Sequence, residues 1–219
     1  MKKILAFNGS PRKNGNTSSL LNKFREGTFL NAAIYEEINP HFINIEYCTG
    51  CLRCNLIKRC SISTDDWTDI SRKILEADVL VFGSPIYFHH LTAALKKIVD
   101  RFRSFVKVQI TETGLNHTPH QLWNKDFVII LSMGSSDNID SKPVIELFEY
   151  ITSIMGIENR FHIIQATRLG IVKQIEKSEN ELEILYGKME LSTSLAKIDY
   201  LKNYELLMKC YELGKQLSL

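Results

Sequence analysis

The chain has 219 residues, 44% of them hydrophobic and 24% charged, with a formal net charge of +2. That length buries a sizeable core, and the composition is that of an ordinary globular protein. The near-neutral balance makes no case for a nucleic-acid partner, and no run approaches the roughly 18 apolar residues of a membrane span. The start, MKKILAF, imitates the basic region of a signal peptide. Its apolar part stops at Asn8-Gly9, so the expected compartment is the cytoplasm.

Ile4 to Phe7 is a continuous apolar run, as expected of a strand covered on both faces of a parallel sheet. A turn rich in Gly, Asn and Ser follows, and a helix opens near Asn16 or Thr17, with Leu20, Leu21, Phe24 and Leu30 as its apolar stripe. Strand, turn and helix in that order build an anion site, because the free N–H groups of the helix start and the helix dipole both favour negative charge. Ser10, Thr17 and Ser18 add hydroxyls, and Arg12 can add a charge-assisted bond to a phosphate.

A weaker strand is expected at Phe42 to Ile45, interrupted by Asn44 and therefore at a sheet edge. The cysteine-rich segment comes next, and Asp65-Asp66 then lead a helical pattern through Trp67, Ile70, Ile74 and Leu75, with Asp65 or Thr64 as its N-cap. Val79 to Phe82 reads as another buried strand, ending in Gly83-Ser84-Pro85-Ile86-Tyr87. Leu91, Ala94, Leu95, Ile98, Phe102 and Phe105 mark the amphipathic helix after it. Residues 107 to 124 read as a loop.

Phe127 to Leu131 is a third buried strand, followed by Ser132-Met133-Gly134-Ser135-Ser136. A helix from about Lys142 to Met155 and a last strand around Phe161 to Ile164 come next, and a helical extension begins at about residue 171. On its final helix Tyr200, Tyr204, Leu207 and Tyr211 form one apolar row, and Leu206, Cys210, Leu213 and Leu217 another. A face that wide suits an oligomer contact or a broad seat within the chain. With no internal repeat or linker, residues 1 to 219 read as one domain.

Five strands alternating with helices predict a doubly wound α/β sheet, five-stranded and parallel with helices on both faces, in which ligands bind beyond the carboxyl ends of the strands. Three of those ends carry the unusual segments GSPRKNGNTS, GSPIYFHH and SMGSSDN. The first is neither a Walker A motif nor GxGxxG, and no acidic Mg²⁺ partners stand at the other two. A single phosphate monoester, with a flat ring between Pro85-Ile86-Tyr87 and the Gly134 region, describes FMN. His89 and His90 adjoin that ring position, but loop histidines are more often solvated, and neither is assigned a catalytic role.

Four of the five cysteines fall within thirteen residues, Cys48, Cys51, Cys54 and Cys60, spaced Cys-x2-Cys-x2-Cys-x5-Cys in the Cys-rich loop 47–61. In a reducing compartment such a cluster is a metal or redox device before it is a disulfide framework. The first two gaps match the bacterial ferredoxin run for a [4Fe–4S] cube, whereas the third gap is longer and Ser61, not Pro, follows. A four-cysteine zinc site, reduced unmetallated thiols and a redox disulfide are the rival readings. Lys58 and Arg59 are the cations expected to lower thiolate pKa and offset the cluster's charge. Cys210 reads as a small core residue.

Together GSPRKNGNTSSLL, the Cys48-to-Cys60 segment with Asp65-Asp66, and ADVLVFGSPIYFHHLTAALKKIVDRF resemble the NADPH-dependent FMN reductase family, and within it the iron–sulfur flavoprotein branch most. The likeness covers roughly residues 1 to 135. It implies a flavodoxin-like fold with strand order 2-1-3-4-5. It carries phosphate binding onto Ser10, Arg12, Asn16, Thr17 and Ser18, and ring contacts onto Pro85, Ile86, Tyr87 and Gly134. It implies tolerance of the long third cysteine gap, and a homodimer or homotetramer.

The expected activity is hydride transfer from NAD(P)H to FMN, and from it electrons to a quinone, free flavin or ferredoxin-type acceptor, with the cluster as a one-electron relay where present. Backbone N–H groups after Phe82 and Leu131 are expected to stabilise the reduced ring, and no side-chain nucleophile or base is assigned. The alternative from another class is a non-catalytic flavodoxin-type electron carrier; a zinc-stabilised binding module is a third.

Overall fold

The computed structural model describes residues 1–219. Strand β1 (Lys3–Asn8) runs into helix α1 (Asn16–Thr28), and β2 (Ile34–Ile38) follows. The one-turn helix α2 (Cys54–Ile57) and helix α3 (Trp67–Glu76) lead to β3 (Val79–Pro85) and α4 (Ala93–Arg101). Strands β4 (Val106–Thr111) and β5 (Gly114–Pro119) form a hairpin before β6 (Asp126–Ser132), α5 (Lys142–Met155) and β7 (Arg160–Ala166). The chain ends in α6 (Glu179–Lys188) and the 23-residue α7 (Leu195–Leu217). No helix is long and apolar enough to cross a membrane.

A five-stranded sheet, parallel throughout, has the order β2-β1-β3-β6-β7. The expected numbering 2-1-3-4-5 does not carry over, because the chain forms seven strands. The separate β4-β5 hairpin lies between the third and fourth strands of the main sheet.

Alternation along each strand sorts its side chains onto two faces. Leu5, Phe7, Leu80, Phe82, Phe127, Ile129 and Leu131 join Trp67, Ile74, Leu95, Ile98 and Phe148 from α3, α4 and α5 in one core. Ile4, Ala6, Val79, Val81, Val128 and Ile130 join Leu20, Leu21 and Phe24 of α1 and Cys210 and Leu217 of α7 in the other. Both faces of the central strands are therefore apolar, which is why they read as unbroken hydrophobic runs. Cys210 is a fully buried core residue.

Helices α1 and α7 meet where neither carries a side chain. A Cβ on Gly27 would press into the Tyr211 carbonyl, and one on Gly214 into that of Phe24. This crossing seats the C-terminal helix on the element that opens at the candidate site. Of the two rows on α7, Leu206, Cys210, Leu213 and Leu217 pack inward. In the other row Leu207 packs inward, while Tyr200 and Tyr204 face solvent.

Three local expectations need correction. The edge strand is Ile34–Ile38, not Phe42 to Ile45. Ile45 is buried from an irregular segment, and the Asn44 N–H donates to Asp66 Oδ2 instead of a sheet ladder. Residues 107 to 124 are not a loop: Val106 to Thr111 pairs antiparallel with Gly114 to Pro119. The N-cap position of α3 is Asp66, not Thr64 or Asp65, but Asp66 offers no side-chain cap; the preceding Asp65 accepts from the Trp67 N–H through Oδ1 at 3.2 Å and pairs with Arg101 through Oδ2.

Candidate functional site

The carboxyl ends of β1, β3, β6 and β7 open onto one crevice of about 120 Å³. Its lining includes Ser10, Arg12, Asn16, Thr17, Pro85, Ile86, Tyr87 and Gly134. Eight of the nine residues singled out for a flavin thus share one cavity. Ser18 does not line it. Its hydroxyl accepts from Asn8 Nδ2 at 3.1 Å and donates to the Arg12 carbonyl at 3.3 Å, so it shapes the turn from behind.

The turn is braced from several sides. Gly9 N–H donates to the Gly83 carbonyl at 2.7 Å, Thr92 Oγ1 to the Gly9 carbonyl at 2.8 Å, and Ile86 N–H to the Ser132 carbonyl at 2.9 Å. A Cβ on Gly9 would crowd Leu95 and the Gly83 carbonyl, so this turn and β3 can approach so closely only with glycine here. Ser10 Oγ accepts from the Arg12 N–H at 3.2 Å, which leaves the Arg12 side chain exposed at the rim.

Gly15 precedes α1 and offers no side-chain cap. The N–H groups of Asn16, Thr17 and Ser18 are therefore free for an anion, at the positive end of a 13-residue helix. The Asn16 side chain is already engaged. It donates to the carbonyls of Leu169 and Ile171 and accepts from the Ile175 N–H, so only its backbone faces a ligand. Thr17 Oγ1 and Ser132 Oγ lie 2.7 Å apart. Such a pair uses one of its two protons internally and keeps the other for the crevice.

Ser132, Met133, Leu169 and Gly170 complete the wall and were not singled out from sequence. The first two stand in the segment noted after β6. Leu169 and Gly170 follow β7, whose carboxyl end lies on the same side of the sheet, and that topological rule was the available signal. A Cβ on Gly170 would meet nothing within 4 Å, so the wall there is open backbone. The N–H groups of Ile86, Tyr87 and Met133 are spent on Ser132, His90 and Ala166. Of the backbone donors expected in these loops, Ile86 and Tyr87 after Phe82 are thus engaged, whereas Gly134 and Ser135 after Leu131 keep theirs unspent.

Beside the crevice Tyr87 and His90 exchange two backbone hydrogen bonds around Phe88 and His89, both at positive φ (48° and 61°). Phe88 is fully exposed, and His89 Nδ1 lies 3.5 Å from Asp140 Oδ1.

The second site is a small cavity of about 20 Å³ lined by Cys48, Cys51, Cys54 and Cys60, together with Arg101 and Arg103. It shares no lining residue with the crevice. All five cysteines are free thiols. Gly50 (φ 66°) and Leu52 (φ 57°) take left-handed conformations that turn the loop around the cavity.

Its neck is closed by Asp65, which accepts from the Glu46 N–H at 2.9 Å and pairs with Arg101 at 2.6 Å. Burial pushes the Cys54 thiol up against the opposing pull of Arg103, while a hydrogen bond with Ser61 brings exposed Cys51 down. The cations in the cavity wall are Arg101 and Arg103, in place of the expected Lys58 and Arg59. No three His, Cys, Asp or Glu side chains converge closely enough to hold one metal ion.

The model of the NADPH-dependent FMN reductase family matches residues 2–157. An iron-sulfur flavoprotein of Methanocaldococcus jannaschii is 40% identical over 106 residues, 46% of this chain and 52% of that relative. The alignment thus spans about half of that protein's length. An iron-sulfur flavoprotein of Archaeoglobus fulgidus is 26% identical over 226 residues, 98% of each chain. Among solved structures, an FMN-dependent NADH-azoreductase from Bacillus anthracis in complex with FMN superposes over the whole of both chains with a TM-score of 0.66. At 16% identity that likeness speaks for the fold.

Proposed function

The chain belongs to the NADPH-dependent FMN reductase family, and from that premise we propose an oxidoreductase that binds FMN in the crevice and passes electrons from NAD(P)H to an acceptor. The observation that carries this reading is the uncapped start of α1 facing the same crevice as the Pro85–Tyr87 and Gly134 segments. A phosphate end and a ring end are both provided for. We take residues 1–219 as one flavodoxin-like domain, supported by the close seating of α7 on α1.

In this reading the N–H groups of Asn16, Thr17 and Ser18, the Thr17–Ser132 hydroxyl pair and the Arg12 guanidinium hold the phosphate. Pro85, Ile86 and Tyr87 form one wall for the ring, and the open Gly134–Gly170 backbone the other. FMN, when bound, supplies the chemistry, accepting hydride and giving up electrons singly or in pairs. The free N–H groups of Gly134 and Ser135 are the protein's own donors for negative charge on the ring. No side chain acts as nucleophile or general base.

The four thiols fit a [4Fe–4S] cluster as the resident group of the second cavity. A cube takes each cysteine at a separate iron, which suits thiols spread around one cavity. The loop's Cys48, Cys51, Cys54 and Cys60 would be its ligands, and the cytoplasm the compartment that keeps them reduced. The exposed Tyr200 and Tyr204 on α7 support a homodimer or homotetramer. A quinone, a free flavin or a ferredoxin-type protein is the acceptor class.

The test is an anaerobic absorbance spectrum of the purified protein with iron and sulfide analysis, followed by turnover of NADH and NADPH with a quinone or ferricyanide. Bound flavin, about four irons per chain and nucleotide oxidation are expected. A colourless protein without turnover would overturn the proposal.

A further inference from the structure

Two guanidinium groups stand in the wall of the four-thiol cavity, and their surroundings differ. Arg101 is fully buried and paired with Asp65 at 2.6 Å, and Nη1 also donates to the Glu46 carbonyl at 2.8 Å. Its charge is cancelled where it stands. Arg103 has no carboxylate partner. Its Nη1 donates to the Val106 carbonyl at 2.9 Å and reaches Cys54 Sγ at 3.5 Å, and its Nη2 donates to Asn55 Oδ1 at 3.2 Å.

That placement is held from behind. Asn55 Oδ1 also accepts from the Val108 N–H at 3.0 Å, and Asn55 Nδ2 donates to the Val108 carbonyl at 2.9 Å. The side chain next to Cys54 thus staples α2 to β4, and Arg103 is one arm of the staple. The cavity's uncancelled positive charge is Arg103, fixed at a sulfur.

We propose that Arg103 is the positioning residue that sets the electron affinity of a cluster bound by Cys48, Cys51, Cys54 and Cys60. The proposal rests on the reading that these thiols hold an iron–sulfur cluster. A cluster held by four thiolates is anionic, and accepting one electron adds a further negative charge. A fixed cation with an N–H directed at a ligand sulfur stabilises the reduced form more than the oxidised one, and so raises the reduction potential. Arg101, neutralised by Asp65, closes the loop's neck and contributes little to this effect.

The experiment uses full-length protein reconstituted anaerobically with iron and sulfide. Wild type is compared with Arg103→Gln, Arg103→Lys and, as an exposed-cation control, Arg59→Gln. Iron per chain is measured, and the midpoint potentials of cluster and flavin are taken from mediated titrations followed by EPR and absorbance. Arg103→Gln should keep its iron, lower the cluster potential and leave the flavin potential in place. Arg103→Lys should recover part of the shift, since it keeps the charge without the planar fork, and Arg59→Gln should not move it.

A cluster potential unchanged in iron-loaded Arg103→Gln overturns the proposal. So does loss of iron from both Arg103 variants, which would make the residue a structural brace only. A wild type that takes up no iron overturns the cluster reading itself, and with it this proposal.

Discussion

Asp65 and Arg101 form an ion pair at 2.6 Å with neither side chain exposed, and the pair fastens both ends of the cysteine loop at one point. Asp65 accepts from the Glu46 N–H, and Arg101 donates to the Glu46 carbonyl, so the residue before the cysteines is tied to the residue after them. Trp67 lies against the guanidinium, 5.1 Å from its carbon, and dries the contact. Removing one partner of such a pair leaves a buried charge uncompensated, at a cost of about 3–5 kcal/mol. Asp65→Asn should therefore lower the unfolding free energy, taken from urea titration, by that amount. An unfolding free energy within about 1 kcal/mol of wild type would show that the neck is not held by this pair.

At the crevice, Thr17→Val removes the hydroxyl that meets Ser132 while keeping the side chain's shape. The pair then loses the proton it holds for a phosphate. A hydrogen bond to a charged group is worth about 1.5–3 kcal/mol, so FMN affinity should fall about 10- to 150-fold. Fluorescence titration of flavin-free protein reads this directly. Unchanged affinity would remove the Thr17 hydroxyl from the phosphate site.

These two sites were legible in sequence to different degrees. Strands β1, β3 and β6 announce themselves because both of their faces are buried, and eight of the thirteen crevice residues followed from the segments at strand ends and their family likeness. Strand β2 did not, since Tyr35, Glu36 and Glu37 in its middle carry no apolar signal at an edge. The hairpin escaped because only Val106 of β4 is fully buried, which leaves its alternation weak. The direction of the Ser18 hydroxyl was not legible, because residue type cannot tell a hydroxyl facing a ligand from one facing Asn8. Arg101 and Arg103 escaped for another reason. Their partners Glu46 and Cys54 lie 55 and 49 residues earlier, and proximity in sequence pointed to Lys58 and Arg59 instead.

Acid should unfold the protein partly through Asp126. Burial alone would raise its carboxyl, but the hydrogen bonds from Arg160 and His162 at 2.6–2.8 Å bring it down to about 2. An unfolded Asp titrates near 3.9, so the folded state binds the proton less well. The contribution, about 2.5 kcal/mol, is present in full above about pH 4 and is lost as pH falls through about 2. The stability gap between wild type and Asp126→Asn in urea should narrow over that range. A gap that stays constant down to pH 2 would mean the carboxylate is not what the network stabilises.

The sharpest division in the molecule is between its two candidate sites, and paired cysteine substitutions test it. Cys51→Ser with Cys54→Ser removes two of the four thiols and no residue of the crevice. Serine oxygens are poor substitutes for thiolates at iron, so the variant should purify without iron. Flavin binding depends on the start of α1 and the strand ends, which the loop does not touch, and the flavin absorbance per chain should match wild type. Loss of flavin together with iron would show that the cysteine loop supports the whole site as a structural element. Iron retained at the wild-type level would take Cys51 and Cys54 out of the ligand set.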